Sequence, residues 1–309
     1  MNAPSPDARD ALPVYSLVCR RDLEMGIVCL RSFVACCRDN VRLIAVSDGS
    51  LSPDELQRLA REIPQATLLT RQALAAEIEP DLAAFPHCRA FRAVHAWGAK
   101  LIDIPVLARG DLGFIDSDIL FVRPFRGLDR RAIGDVDFAY MRSYANIYSL
   151  DLPQRLRRRG RPPLVDRCNS GLMFISRRAY CLPVLEEFLA DVERHGNILL
   201  AEQTGFAALA ARCRSGYFSQ AQAVFPFFPH GPRVGGGDEA VAVHFVGGSR
   251  HLLDGYVAAR AQPCAAGASP PATLAVRRSR PLRLHSHLYD TLRHRLYRRQ
   301  WVREGLIRA

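Results

Sequence analysis

Phe114-Ile115-Asp116-Ser117-Asp118-Ile119-Leu120-Phe121 sets two carboxylates one residue apart inside an otherwise apolar run. Burying charge without a partner is costly, so a chain that puts two acids between β-type segments calls for a cation there. Two carboxylates together with diphosphate oxygens suit Mn²⁺ or Mg²⁺, which prefer hard oxygen ligands. The stretch reads as the end of a strand over 112–115 running into a metal site for a nucleotide-diphosphate substrate.

Working back towards the N-terminus, strand and helix patterns alternate. Residues 13–18 read as a first strand. Residues 22–37 have helical spacing at Leu23, Ile27, Leu30 and Val34. Residues 41–46 read as a second strand, closed by the turn Ser47-Asp48-Gly49-Ser50. Ser52 then caps a helix with Pro53 at its first position. A short strand follows over 66–69, then one helix over 88–104 carrying Phe91, Val94, Trp97 and Leu101. The fold class this predicts is α/β with a mostly parallel central sheet flanked by helices. In such sheets ligands gather beyond the carboxyl ends of the strands. Three loops, 19–22, 47–50 and 116–118, would form one rim of the pocket.

Past the acid pair the pattern is less regular. A strand is expected over 138–142 and a basic, Pro-bearing mobile loop over 151–163. Asn169-Ser170-Gly171 leads into a strand over 172–175, with helices over 179–194 and 200–211. A Pro/Gly-rich connection covers 225–237, and a last strand, 240–245, runs into Val246-Gly247-Gly248-Ser249-Arg250. The domain plan is a disordered tail over 1–12, one catalytic domain over 13–259, and a linker with a basic amphipathic C-terminal segment over 260–309.

Composition narrows the class. A chain of 309 residues, 49% of them hydrophobic, can bury a large core. No apolar stretch approaches the roughly 18 residues of a membrane span, and residues 1–12 lack the basic and apolar regions of a secretory signal. A cytoplasmic protein is expected. The nine cysteines show no CxxC pair and read as buried reduced thiols rather than a zinc site or disulfide frame. The net charge of +11 is concentrated at one end: residues 277–309 hold ten arginines against Asp290 and Glu304, a balance of +8. Of 42 basic residues, Lys100 is the sole lysine. A compact ammonium is not always replaceable by a planar guanidinium, so position 100 draws notice.

A second Asp-x-Asp, Asp135-Val136-Asp137, opens a strand after a glycine and reads as a solvated turn. In His244-Phe245-Val246-Gly247-Gly248-Ser249-Arg250 the imidazole at a strand end is a candidate third metal ligand. Its two glycines let backbone N–H groups approach phosphate oxygens, and Arg250 offers a fork for the same oxygens. A buried strand histidine before an ordinary glycine turn remains the alternative.

These landmarks, in this order over about residues 13–255, resemble a GT-A-fold nucleotide-sugar-dependent glycosyltransferase, most like glycosyltransferase family 8. The resemblance rests on 15–20, Lys100, Asp116 to Asp118, Asn169 to Gly171, Glu202-Gln203 and His244 to Arg250. Three departures are the late Arg250, where that family has lysine, the absence of the aromatic that often follows it, and Glu202-Gln203-Thr204, where the family has Asp-Gln-Asp. The resemblance implies that Asp116, Asp118 and His244 hold Mn²⁺ (or Mg²⁺) against both phosphates. It implies donor contacts from Ser16, Arg20, Asp48, Lys100, Ser117, Gly247, Gly248 and Arg250. Asn169 and Ser170 would bind the sugar, and Glu202 and Gln203 would be the catalytic pair, orienting and stabilising the sugar or, for Glu202, acting as base. Asp48 as a turn-former, and Asn169-Ser170 as a turn before a strand, stay open.

The resemblance implies a nucleotide-sugar donor, with a UDP-sugar the first candidate, and a glycan or lipid-linked acceptor. The basic tail fits a helix on an anionic membrane surface, so peripheral attachment to the inner face of the membrane is an expectation and nucleic acid is not an expected partner. Removing residues 273–309 is then expected to spare donor hydrolysis. Two other readings stay open. A sugar-nucleotide pyrophosphorylase would carry a Gly-rich loop where this chain has Val18-Cys19-Arg20-Arg21-Asp22. A non-catalytic nucleotide- or membrane-binding module would bind without turnover.

Overall fold

The structure, a computed structural model, describes residues 11–149, 163–195, 198–226, 239–259, 270–283 and 289–290. The strands in chain order are β1 (Leu12–Val18), β2 (Val41–Ser47), β3 (Thr67–Thr70), β4 (Leu112–Ile115), β5 (Ile119–Phe121), β6 (Phe125–Arg126) and β7 (Phe138–Arg142). They continue with β8 (Cys168–Ile175), β9 (Ser215–Phe218), β10 (Ala223–Val224), β11 (Ala242–His244), β12 (Ala272–Thr273) and β13 (Val276–Arg278). The main sheet runs β13-β9-β7-β8-β4-β1-β2-β3. Parallel pairs join β4-β1-β2-β3 and β7-β9; β8 is antiparallel to both neighbours, and β13 to β9. The expected α/β architecture with a mainly parallel sheet is therefore present, with one reversed strand at its centre.

Both faces of the sheet are covered. Phe114, Phe138, Met173 and Ile175 pack with Leu101, Leu185 and Phe206 on one face. Val14, Ile115, Leu172 and Phe174 pack with Ile27, Leu30 and Phe33 on the other. Burial from both sides explains why Leu172 to Ile175 of β8 form a continuous apolar run and why every β8 position is buried. Ser52 caps the Pro53–Glu62 helix in a reciprocal box with Glu55, with proline at the first turn as expected.

Three expectations fail. The helix expected over 88–104 is broken into Pro86–Val94, a π-helical turn Ala99–Asp103 and Ile104–Ala108. At Gly98 the chain passes so close to Arg92 that any Cβ would strike its backbone. The break shifts the helical phase: Phe91 and Leu101 are buried as expected, but Val94 is 71% and Trp97 44% exposed. Secondly, Asn169 to Gly171 do not precede the strand but belong to β8. Thirdly, part of the segment assigned to linker and tail is sheet. β12 pairs with β6, and β13 extends the main sheet beside β9. Leu282 donates its N–H to the Leu164 carbonyl at 2.7 Å. The basic residues of 272–283 hide this role, since an edge strand needs few apolar side chains. Removing residues 273–309 would strip a strand from the sheet. Most of the loop expected over 151–163, most of the connection expected over 225–237, and most of the basic tail lie outside the described residues. Seven cysteines are free thiols, as expected; Cys36 is disulfide-bonded, against it.

Candidate active site

Strands β1, β2 and β4 are in parallel register, Val18 opposite Ser47 and Tyr15 opposite Phe114, so they end at one edge. The three expected loops meet there. Asp48 donates its N–H to the Val18 carbonyl at 3.0 Å, and Arg20 its N–H to Ser50 Oγ at 2.8 Å. Two further pairings bring in distant parts of the chain. The antiparallel β4–β8 pair sets Ile115 opposite Leu172, and Asp116 N–H meets the Gly171 carbonyl at 2.7 Å. The antiparallel β11–β5 pair sets His244 opposite Ile119, and Phe245 N–H meets the Asp118 carbonyl at 2.9 Å.

Asp116, Asp118 and His244 thus converge, each offering one ligand atom, all within 4.8 Å of one another. His244 Nε2 lies 3.0 Å from Asp118 Oδ1 and 3.7 Å from Asp116 Oδ2. The ring is 2% exposed and stacked on Phe225. Gly171 leaves the room it needs: a Cβ there would stand 2.5 Å from His244 Cε1. Each carboxylate divides its oxygens. Asp116 Oδ1 accepts from Lys100 Nζ at 2.7 Å, and Asp118 Oδ2 accepts from Arg250 Nη2 at 3.0 Å. Their other oxygens face the imidazole.

Lys100 sits in the π-helical turn, a rare backbone form frequent at functional sites. Its ammonium is buried and meets three oxygens, Asp116 Oδ1 at 2.7 Å, Ser170 Oγ at 3.1 Å and Glu202 Oε1 at 3.1 Å. An ammonium has three donors, so all of them are taken inside the protein. Lys100, expected among the donor contacts, is turned inward and fixes Asp116 and Glu202. Three donors converging from one point are what a guanidinium cannot present, which accounts for the lone lysine. Burial pulls its pKa down, but Asp116 and Glu202 outweigh burial and the pKa is raised. Burial raises Glu202, with Lys100 only partly offsetting it. Burial would also raise Asp118, but His244 and Arg250 overcome it and hold that carboxyl at about 2.

Arg250 spans two acids, with Nη1 2.7 Å from Asp22 Oδ2 and Nη2 3.0 Å from Asp118 Oδ2. Its buried Nε has no partner among the described residues. Asp22 was missed by sequence reasoning; it lies just before the Leu23–Cys36 helix and also binds Arg21. Nothing local marks it, since its partner is 228 residues away. Asn169 Oδ1 accepts from Gly171 N–H at 2.9 Å, and Asn169 Nδ2 reaches Gln203 Oε1 at 3.4 Å. Gln203 also donates to the Ile147 carbonyl at 2.8 Å. Ser170 and Glu202 share Lys100. Gly247, at φ +55°, and Gly248 open the turn that carries Arg250.

Asp48 accepts from Ser50 N–H at 2.9 Å and Ser50 Oγ at 2.6 Å, the turn-forming alternative. Arg20 pairs with Glu55 at 2.9 Å on the surface. Ser16 is wholly buried and its hydroxyl unpartnered among the described residues. Ser117 lies over the Leu23–Cys36 helix, its Cβ 3.5 Å from where a Cβ on Gly26 would be. The second acid pair is the expected solvated turn only in part: Asp135 is exposed in a turn, but Asp137 is buried between Arg130 and Arg214, at 3.5 and 3.6 Å.

The donor set fits a divalent cation. Asp118 Oδ1 is buried and faces His244 Nε2 at 3.0 Å, with Asp116 Oδ2 3.7 Å from the same nitrogen, so the three ligand atoms are turned towards one another. Asp116, Asp118 and Glu202 carry one negative charge more than Lys100 and Arg250 balance. Two carboxylates and a neutral imidazole suit Mn²⁺ or Mg²⁺.

No family model and no curated protein matches the chain. Solved structures resemble it. They include the bifunctional glycosyltransferase WbbM in its apo form, at 15% identity and a TM-score of 0.47, covering 84% of this chain and 51% of that one. The galactosyltransferase LgtC, in complex with donor and acceptor sugar analogues, is 12% identical with a TM-score of 0.45, over 77% of this chain and 88% of that one. Mouse xyloside xylosyltransferase 1, apo, is 11% identical with a TM-score of 0.41, over 70% and 87%. The chain spans about half the length of the WbbM chain. What this chain does is decided by its own side chains.

Proposed function

We propose that the chain is a metal-dependent glycosyltransferase that moves a sugar from a nucleotide-diphosphate sugar, a UDP-sugar first, to a hydroxyl of a glycan or lipid-linked acceptor. The observation that carries this reading is the convergence of Asp116, Asp118 and His244 at the carboxyl edge of the sheet, with Arg250 beside them. Bound there, Mn²⁺ or Mg²⁺ would supply charge neutralisation for the departing nucleoside diphosphate. The chain's own residues do the rest. Lys100 holds Asp116 in place. The unpartnered Nε of Arg250 is a donor for a phosphate oxygen, and the Gly247-Gly248 turn lets backbone approach the same group. Asn169, Ser170 and Gln203 offer hydrogen bonds to sugar hydroxyls. Glu202, ion-paired to Lys100, is better placed to orient the sugar than to take a proton from an acceptor.

No helix among the described residues is long and apolar enough to cross a membrane. We keep the anionic membrane surface as the partner of the basic tail, tested by co-sedimentation of the chain with and without residues 291–309 on anionic vesicles. The enzymatic reading is tested by thermal shift and hydrolysis with UDP-, GDP-, CMP- and dTDP-sugars, with and without Mn²⁺. A Mn²⁺-dependent shift with one sugar nucleotide, and turnover abolished in Asp118→Ala, is the expected result. Binding without turnover would point to the non-catalytic module, and no binding at all would remove the proposal.

A further inference from the structure

Asp290 is the most deeply buried acid among the described residues, at 0% exposure, and it comes from the segment expected to be a basic amphipathic tail. Its carboxylate accepts four hydrogen bonds. Arg167 clamps it through Nε at 3.0 Å and Nη2 at 2.6 Å, and Asn146 gives its Nδ2 at 2.6 Å and its backbone N–H at 3.3 Å. A bidentate Arg–carboxylate pair that is also hydrogen-bonded is the strong form of ion pair. The pair binds its two partners to each other as well: Arg167 N–H meets Asn146 Oδ1 at 2.7 Å. Arg167 does so at φ +53°, a left-handed conformation unusual for a side-chain-bearing residue and sustained only where the surroundings fix it.

Both partners lead to the sugar-facing residues. Arg167 lies two positions before Asn169, at the start of β8. Asn146 is next to Ile147, whose carbonyl receives Gln203 Nε2 at 2.8 Å. Gln203 and Asn169 in turn meet at 3.4 Å. We infer that Asp290 is a positioning residue for Asn169 and Gln203, so that this C-terminal residue belongs to the catalytic unit and is not part of an appendage. The kinetic half of this inference rests on the glycosyltransferase reading; the structural half does not. Asp290 touches neither the metal-ligand triad nor Arg250, so its removal leaves the diphosphate end of the site intact. A ligand bound only at that end, such as UDP, does not sense it.

The experiment uses the full chain and Asp290→Asn, which keeps shape and removes charge. Hydrogen exchange is followed in residues 143–149 and 167–171, with β1 as the reference. UDP affinity in Mn²⁺ and turnover of UDP-glucose and UDP-galactose are measured on the same samples. The expected result is exchange at least tenfold faster in those two segments with β1 unchanged, kcat at least tenfold lower, and a UDP Kd within twofold of wild type. Exchange unchanged in both segments overturns the inference, as does faster exchange with wild-type kcat. If Asp290→Asn exchanges faster everywhere, Asn146→Ala, which leaves the Asp290–Arg167 pair in place, is judged by the same outcomes. A wild-type chain that turns over no sugar nucleotide refutes the glycosyltransferase reading, and the exchange arm then decides alone whether Asp290 orders these segments.

Discussion

Gly171→Ala tests the geometry that brings the imidazole to the carboxylates. A Cβ at position 171 would stand 2.5 Å from His244 Cε1, 2.7 Å from its Nδ1 and 2.9 Å from Asn169 Oδ1. Non-bonded carbons settle at about 3.5–4.0 Å, so something must retreat by about 1 Å. The ring has little freedom to do so, because Phe225 stacks on it and β11 is paired to β5. Overpacking of this kind costs about 1–3 kcal/mol of stability. A misplacement of about 1 Å in a reacting constellation costs about 10²-fold in rate. The variant is expected to remain folded by circular dichroism, to bind Mn²⁺ at least tenfold more weakly by calorimetry in the presence of UDP, and to turn over about a hundredfold more slowly. A folded Gly171→Ala protein with wild-type Mn²⁺ affinity and turnover would refute the argument that this glycine exists to admit His244.

Lys100→Arg keeps the charge but cannot direct three donors from one point at Asp116, Ser170 and Glu202. Turnover is expected to fall at least tenfold with a lowered Tm, and unchanged kinetics would deny the amine its special place. The acid limb of stability should report on Asp118. Its carboxyl is depressed from 3.8 to about 2, so its contribution is present above the unfolded value and lost as pH falls from about 4 to about 2. In chelator-treated protein, Asp118→Asn should flatten the urea midpoint over that range, and an unaltered slope would contradict the pairing with His244 and Arg250. Deleting residues 270–309 removes β12, β13 and Asp290, and is expected to lower Tm by well over 5 °C or abolish soluble expression; a truncated chain that melts like the full one would show that this segment carries no part of the fold.

Much of this was written locally. Alternating apolar runs gave β1, β2 and β4, the Ser52–Pro53 start gave a helix, and Asp116 and Asp118 stood out because two acids interrupted an apolar strand end. Such features depend on neighbours within a few residues, which is the range over which backbone propensity and periodicity act. His244 was legible as a candidate, but its meeting with Asp118 needed the β11–β5 pairing. That the lone lysine mattered could be seen in composition; that its three donors point inward could not. Asp22 and Asp290 left no local mark, because each is defined by an arginine more than a hundred residues away. The strand hidden in 276–278 and the break at Gly98 were likewise decided by what packs against them. Sequence alone determined β1, β2, β4, the Ser52-capped helix and where the acids lie. Tertiary structure decided which charges meet, because burial makes an unpaired charge too costly to tolerate and the partners that satisfy it come from whichever segments the sheet brings to the same edge.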